Sequence, residues 1–151
     1  MEKAMTPSRA LLAAALIAAT CASTQAAEVT IKMLNNGPAG MMVFEPPFVK
    51  IAPGDSVKFV ATDKGHNVET IKNMAPEGVA PVKGALGKDE TITFDKEGVY
   101  GFKCSPHYIM GMVALVAVGA NLDNLEKAKG LDQNKMAKQR FEPLWAKAEG
   151  K

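Results

Sequence analysis

Gly98-Val-Tyr-Gly-Phe-Lys-Cys104-Ser-Pro-His107-Tyr-Ile-Met110-Gly-Met112-Val-Ala-Leu-Val-Ala-Val118 is the stretch on which the fold turns. Both flanks are rich in β-branched and aromatic residues and read as strands. The nine residues Cys104–Met112 between them form a loop joining two strands at one end of a sheet. That loop carries a soft thiolate, an imidazole three positions later and two thioethers. Pro106 stiffens the turn between Cys104 and His107, and Gly111 lets the backbone bend again before Met112.

Working outward towards the N-terminus, the chain keeps the period of half-buried strands. Glu28–Leu34 alternates, Asn35-Asn-Gly-Pro38 turns it, and Met41–Phe44 is a short apolar run stopped by Glu45-Pro-Pro47. Phe48–Ile51 is extended, Pro53-Gly-Asp55 turns, and Ser56–Thr62 alternates again. Asp63-Lys-Gly65 is a loop, and His66–Ile71 reads as another strand. Residues 72–89 hold Pro76, Gly78, Pro81, Gly84 and Gly87 and form a long connection. Thr91–Phe94 and Val99–Cys104 return to strand. Seven or eight short strands with no helix between them indicate an all-β fold, an antiparallel Greek-key β-sandwich.

Beyond Val118 the pattern becomes helical. Asn121 can cap a short helix through Lys129, with Gly130 to end it. A second helix fits Gln133–Phe141 behind Asp132 as cap. Pro143 either starts a further turn or kinks a continuous helix. Met136, Phe141, Leu144 and Trp145 are enough to dock this tail on the sandwich and too few for a core of their own. Met33 and Met136 are expected to fill core space.

With 151 residues the chain can build one domain. Residues 1–26 are set apart from it. Lys3 and Arg9 give a basic start, Ala10–Thr20 is apolar, and Thr24-Gln-Ala26 offers the small residues that a signal peptidase reads. This is the pattern of a secretory signal peptide cleaved after Ala26. The apolar run is well short of the roughly 20 residues that span a bilayer. The Ala-Ala-Thr before Cys21 lacks the features of a lipoprotein signal. The expected organisation is leader 1–26, sandwich 27–119 and helical extension 120–151, exported to the periplasm. Losing Glu2, Lys3 and Arg9 from 18 basic and 16 acidic residues leaves 16 against 15. That balance gives no basic surface for nucleic acid. It also leaves Cys104 as the single cysteine, unable to close an internal disulfide.

A thiolate with two imidazoles in a trigonal arrangement and a distant thioether is the ligand set of a blue-copper electron-transfer site. His66, at the end of a loop and the only histidine besides His107, fits the remaining imidazole position. Chemistry alone leaves Met110 and Met112 both open as the thioether. A thiol nucleophile activated by histidine is a rival reading, but no oxyanion or acid/base constellation accompanies it. Zinc would accept Cys and two His, although a thioether suits it poorly.

Gly65-His-Asn67 together with Cys104-Ser-Pro-His107-Tyr-Ile-Met-Gly-Met112 resembles the type 1 copper centre of the cupredoxins. The likeness is greatest to the pseudoazurin branch, whose members carry two C-terminal helices. It extends to Met33-Leu-Asn35, Met42-Val-Phe-Glu-Pro46, Pro53-Gly-Asp55, Asp63–Glu69 and Pro76-Glu-Gly78. The resemblance implies a cupredoxin sandwich holding one copper ion on His66, Cys104, His107 and Met112. It implies that Asn67 braces the Cys104 loop and that Pro106 limits hydrogen bonding to the sulfur. Met42, Pro106 and Met110 match an apolar docking patch around His107, and Lys64, Lys83, Lys103 and Lys135 match its basic rim. Asn36 stands where that rim often has a lysine. The implied role is that of a soluble, monomeric electron carrier, not an enzyme, which docks transiently with c-type cytochromes and redox enzymes such as nitrite reductase. Copper binding and delivery on the same fold is the alternative.

Overall fold

The structure, a computed structural model, describes residues 25–151. Residues 1–24, most of the expected leader 1–26, lie outside the described residues. Among the described residues, eight strands form two four-stranded sheets. The first orders β2 (Gly40–Glu45), β1 (Glu28–Gly37), β4 (Ser56–Val60) and β6 (Glu90–Thr93). The second orders β3 (Phe48–Ile51), β8 (Val113–Val118), β7 (Gly98–Lys103) and β5 (Glu69–Thr70). Two helices follow, α1 (Leu125–Lys129) and α2 (Lys135–Ala148).

The sandwich is mixed where the strand pattern predicted antiparallel pairing. β1 runs parallel to β4 and β3 parallel to β8. Period-two alternation tells which face a side chain takes and nothing about strand direction. Here the chain leaves the first sheet after β2, visits the second as β3, and returns as β4 beside β1. The predicted strand His66–Ile71 shrinks to two paired residues. The carbonyls of His66 and Val68 accept from the amides of Gly87 and Gly84, both at 2.8 Å, so they serve a loop rather than a ladder.

β8 explains its own unbroken apolar sequence, since all six residues are buried. Ala114, Val116 and Val118 face the core between the sheets, while Val113, Leu115 and Ala117 face the helices. The inter-sheet core is aromatic. Phe59 packs on Phe44 and Phe102 with ring centroids 5.8 and 5.2 Å apart, and Phe94 meets Tyr100 at 4.9 Å. Each such fully buried ring contributes about 1.5–3 kcal/mol through area removed from water.

On α2 the buried positions Ala137, Phe141, Leu144 and Ala148 form one stripe at helical spacing. Met136 lies one residue off that stripe, rotated about 100° from it, and is exposed rather than core. The helix begins two residues later than predicted and runs through Pro143 to Ala148. Gln139 and Pro143 both face water, so solvent can serve the carbonyl that the proline leaves unpaired. Asn134, not Asp132, is the cap, its side chain accepting from the Ala137 amide at 3.0 Å. Asp132 pairs instead with Lys138 at 3.0 Å. Likewise α1 starts after Asn124 rather than Asn121. The Asn124 amide is committed to both backbone groups of Val99, at 2.8 Å each.

Candidate metal centre

The loop after β7 is wound tightly by its own backbone. The Cys104 amide donates to Met112 O at 3.0 Å and closes the loop. His107 N–H donates back to Cys104 O at 3.2 Å, and the His107 carbonyl accepts from Met110 and Met112 at 3.0 and 3.2 Å. Tyr108–Met110 make one 3-10 turn, ended by Gly111 at φ 83°. A side chain at Gly111 would lie 2.8 Å from Met136 O, so this position needs glycine for its conformation and for the close approach of α2.

Three donor atoms from two parts of the chain converge at the mouth of the sandwich. Cys104 Sγ lies 3.6 Å from His66 Nδ1 and 3.5 Å from His107 Nδ1, and the two ring nitrogens are 3.1 Å apart. A triangle with these sides has a circumscribed radius of about 2.0 Å, the length of a metal–imidazole bond and about 0.3 Å short of a metal–thiolate bond. The three donors are thus close enough together to share one metal ion with little movement of the chain. Among the described residues this is the one cluster of three or more His, Cys, Asp or Glu side chains with that convergence. Met112 is fully buried in the same core cluster as Cys104, whereas Met110 is exposed.

The surroundings favour ligation. His66 Nε2 lies 2.8 Å from Asn35 Oδ1. With the proton held on Nε2 by that acceptor, the neutral ring presents a lone pair at Nδ1, towards the convergence point. Burial lowers the His66 pKa, the His107 charge lowers it further, and Asp63 opposes both. The Cys104 thiol is pushed up by burial, against the backbone N–H groups of Asn67 and His107 that favour the thiolate. A cation at the centre would offset the cost of that desolvated anion.

Asn67 bridges the two parts. Its Oδ1 accepts from the Ser105 amide at 2.8 Å and its Nδ2 donates to Gly84 O at 3.1 Å. Ser105 Oγ also donates to Glu69 at 2.7 Å. Asn35 was missed in the sequence because it sits 31 positions from His66, in a segment that reads only as a turn. Glu69 was missed for a similar reason.

His107 is only half-buried. Pro106 is exposed and Met42 is half-buried. All five of the large hydrophobic residues found exposed in the described chain lie in segments bordering the centre: Met41, Leu86, Ile109, Met110 and Met136. Of these, the sequence reading puts Met110 in the apolar patch and Met136 in the core. Lys64, Lys83 and Lys135 are exposed cations on flanking segments. Lys103 is different, being 3.7 Å from Glu69 and 5.2 Å from the centroid of the Tyr108 ring.

Known proteins share this architecture. Residues 31–119 match the family model for copper binding proteins of the plastocyanin/azurin family. The chain is 60% identical to a pseudoazurin of Methylorubrum extorquens over 141 residues, 91% of this chain and 95% of that protein. It is 48% identical to the pseudoazurin of Paracoccus pantotrophus over 130 residues, covering 86% and 90%. Among solved structures, the refined crystal structure of pseudoazurin from Methylobacterium extorquens superimposes with a TM-score of 0.78 at 62% identity, covering 80% of this chain and 98% of that one.

Proposed function

The chain belongs to the plastocyanin/azurin family of copper-binding proteins, on its pseudoazurin branch, and from that premise we propose that it is a one-electron carrier that transforms no substrate. The observation that carries this reading is the buried Cys104–His66–His107 triangle with one imidazole, His107, reaching the surface. His66, Cys104 and His107 would hold the copper ion in this reading, with Met112 as the weaker thioether donor. Bound copper would supply a one-electron couple, Cu(II)/Cu(I), at a thiolate-coupled site.

The chain's residues keep the donors in place across that couple. Asn35 fixes the His66 ring and Asn67 fixes the loop through Ser105. Pro106 withholds an N–H from the sulfur and limits water around it. Donors that scarcely move need little reorganisation on gain or loss of an electron, and that suits a carrier better than copper delivery, which needs an open, exchangeable site.

Electrons leave through the exposed edge of His107, in a docking face made by Met42, Pro106 and Met110 and widened by Met41, Leu86, Ile109 and Met136. Lys64, Lys83, Lys103 and Lys135 steer an acidic partner onto it and let go quickly. The partners are redox proteins, c-type cytochromes as donors and enzymes such as nitrite reductase as acceptors, met by the monomer in the periplasm. Export with cleavage after Ala26 suits the fold. The Ala27 nitrogen donates to Asp55 at 2.8 Å, and cleavage would turn that nitrogen into an ammonium at the same contact.

The visible and electron paramagnetic resonance spectra of the oxidised, copper-loaded protein test this reading, with Met112→Gln and Met110→Gln alongside. An intense thiolate-to-copper band that shifts with Met112 and not with Met110 is expected. A colourless wild type with Cys104 freely reactive would overturn it.

A further inference from the structure

The first turn of α2 touches the loop Cys104–Met112 at a place that none of the ligand residues occupies. Asn134 caps the helix with Oδ1, accepting from Ala137 N at 3.0 Å, and with Nδ2 it donates to Tyr108 O at 2.9 Å. Tyr108 is the residue directly after His107. Its carbonyl also accepts from Gly111 N at 2.9 Å, the bond that closes the 3-10 turn. One carbonyl therefore ties the turn to itself and to the helix. The two uses of the Asn134 amide fix its orientation, since a flip would set oxygen against the Tyr108 carbonyl and NH2 against the Ala137 N–H.

A hydrogen bond positions a loop only if its other end is immobile, and α2 satisfies that condition. Phe141 and Leu144 are buried against the outer face of β8. One and a half turns beyond Asn134, the Arg140 guanidinium donates to Met41 O at 2.7 Å and to Met42 O at 2.8 Å, which seats the helix on the start of β2. Met136 O closes against Gly111. Gln133 accepts from the Tyr108 hydroxyl. The helix thus spans from the loop's far side to the strand carrying Met42.

We propose that Asn134 is a positioning residue for the metal-holding loop: by gripping the Tyr108 carbonyl it sets where the His107 ring stands relative to Cys104 and His66. The proposal rests on reading residues 104–112 as the copper-holding loop. A helix cap has value of its own, so the two roles must be separated. Serine and aspartate cap helices about as well as asparagine. Neither reproduces the donation to Tyr108, because the serine hydroxyl is too short to serve both groups and the aspartate carboxylate has no proton to give.

The experiment compares Asn134→Ser, Asn134→Asp and Asn134→Ala with wild type in two measurements. In the metal-free protein, hydrogen exchange of the Gly111 amide is followed by NMR beside the thermal melt. In the copper-loaded protein, the relative intensities of the thiolate-to-copper bands are compared. The serine and aspartate variants should melt close to wild type, yet exchange Gly111 roughly three- to tenfold faster, the worth of one neutral hydrogen bond. Their band ratio should change in the same sense as that of the alanine variant. Serine and aspartate variants with wild-type exchange and wild-type band ratio would reduce Asn134 to a cap and overturn the proposal. A wild type without any thiolate-to-copper band would sink the copper reading instead, and the exchange data on the metal-free protein would still decide whether Asn134 holds the loop.

Discussion

Removing the acceptor behind His66 should weaken metal binding about tenfold while leaving the fold in place. In Asn35→Ala the Nε2–H loses its partner at 2.8 Å. His66 has no accessible surface. An unsatisfied buried donor costs about 1–3 kcal/mol. The ring can avoid part of that cost by moving its proton to Nδ1, but that blocks the lone pair which meets the metal. Loss of a hydrogen-bond partner behind a ligating histidine lowers metal affinity by about 10–100-fold in general, or roughly 1.4–2.8 kcal/mol. The two estimates agree. Asn35 itself is exposed, so water can take over some of its place and the lower end, about tenfold, is expected. The backbone contact between Asn35 N and Asp63 Oδ2 at 2.7 Å survives the substitution and holds the segment. The assay is competition of the metal-free protein against a chromophoric Cu(I) chelator, with urea unfolding in parallel. Asn35→Asp, which keeps an acceptor and adds charge, should bind at least as tightly as wild type. An alanine variant within twofold of wild type would refute the claim that this bond selects the ligating tautomer.

Three further outcomes follow from groups that are not themselves donors to the metal centre. Asp55 accepts from the amides of Ala27 at 2.8 Å and Ala52 at 3.0 Å, and those bonds lower its pKa below the ordinary 3.8. Because the folded value is depressed, the stability it contributes is present above 3.8 and lost as pH falls through the folded value. The urea midpoint of wild type should exceed that of Asp55→Asn at neutral pH, with a gap that closes in acid; a gap independent of pH would count against it. At the proposed docking face, Lys64→Glu with Lys83→Glu should slow association with an acidic redox partner by about tenfold or more at low ionic strength and leave the copper spectrum unchanged. Stopped-flow rates across a salt series check this. Lys103→Ala should matter less, because Glu69 already neutralises that cation; a Lys103 effect as large as the double variant's would contradict this ranking.

What could be read from the sequence was local. Cys104 and His107 are held three residues apart by one loop, so their joint meaning survives without coordinates. Alternation marked the strands, and the apolar run of β8 read as a strand, but only the structure shows both of its faces covered. The helix ends were less legible. Asp132, Asn134 and Asn121, Asn124 are all competent caps by residue type, and contacts with distant groups decided where the helices begin: Asn134 both caps α2 and holds Tyr108, while the Asn124 amide is spent on Val99 and makes no side-chain cap. Met136 and Phe141 look alike as apolar helix residues, and only the placement of the buried stripe separates the exposed one from the core one.

By itself, then, the sequence determined the Cys104–His107 pair and the class of fold, because loop spacing and side-chain alternation are properties of neighbouring residues, whereas His66 stood out only as the one other histidine and Met112 only through the resemblance. The tertiary structure alone decided the parallel pairings, the Asn35 support behind His66, the clamp from Asn134 and Arg140, and the neutralisation of Lys103. Each of these joins groups far apart in the chain, up to 99 positions for Arg140 and Met41. Such contacts depend on how the strands cross between two sheets, and one-dimensional periodicity carries no record of that crossing.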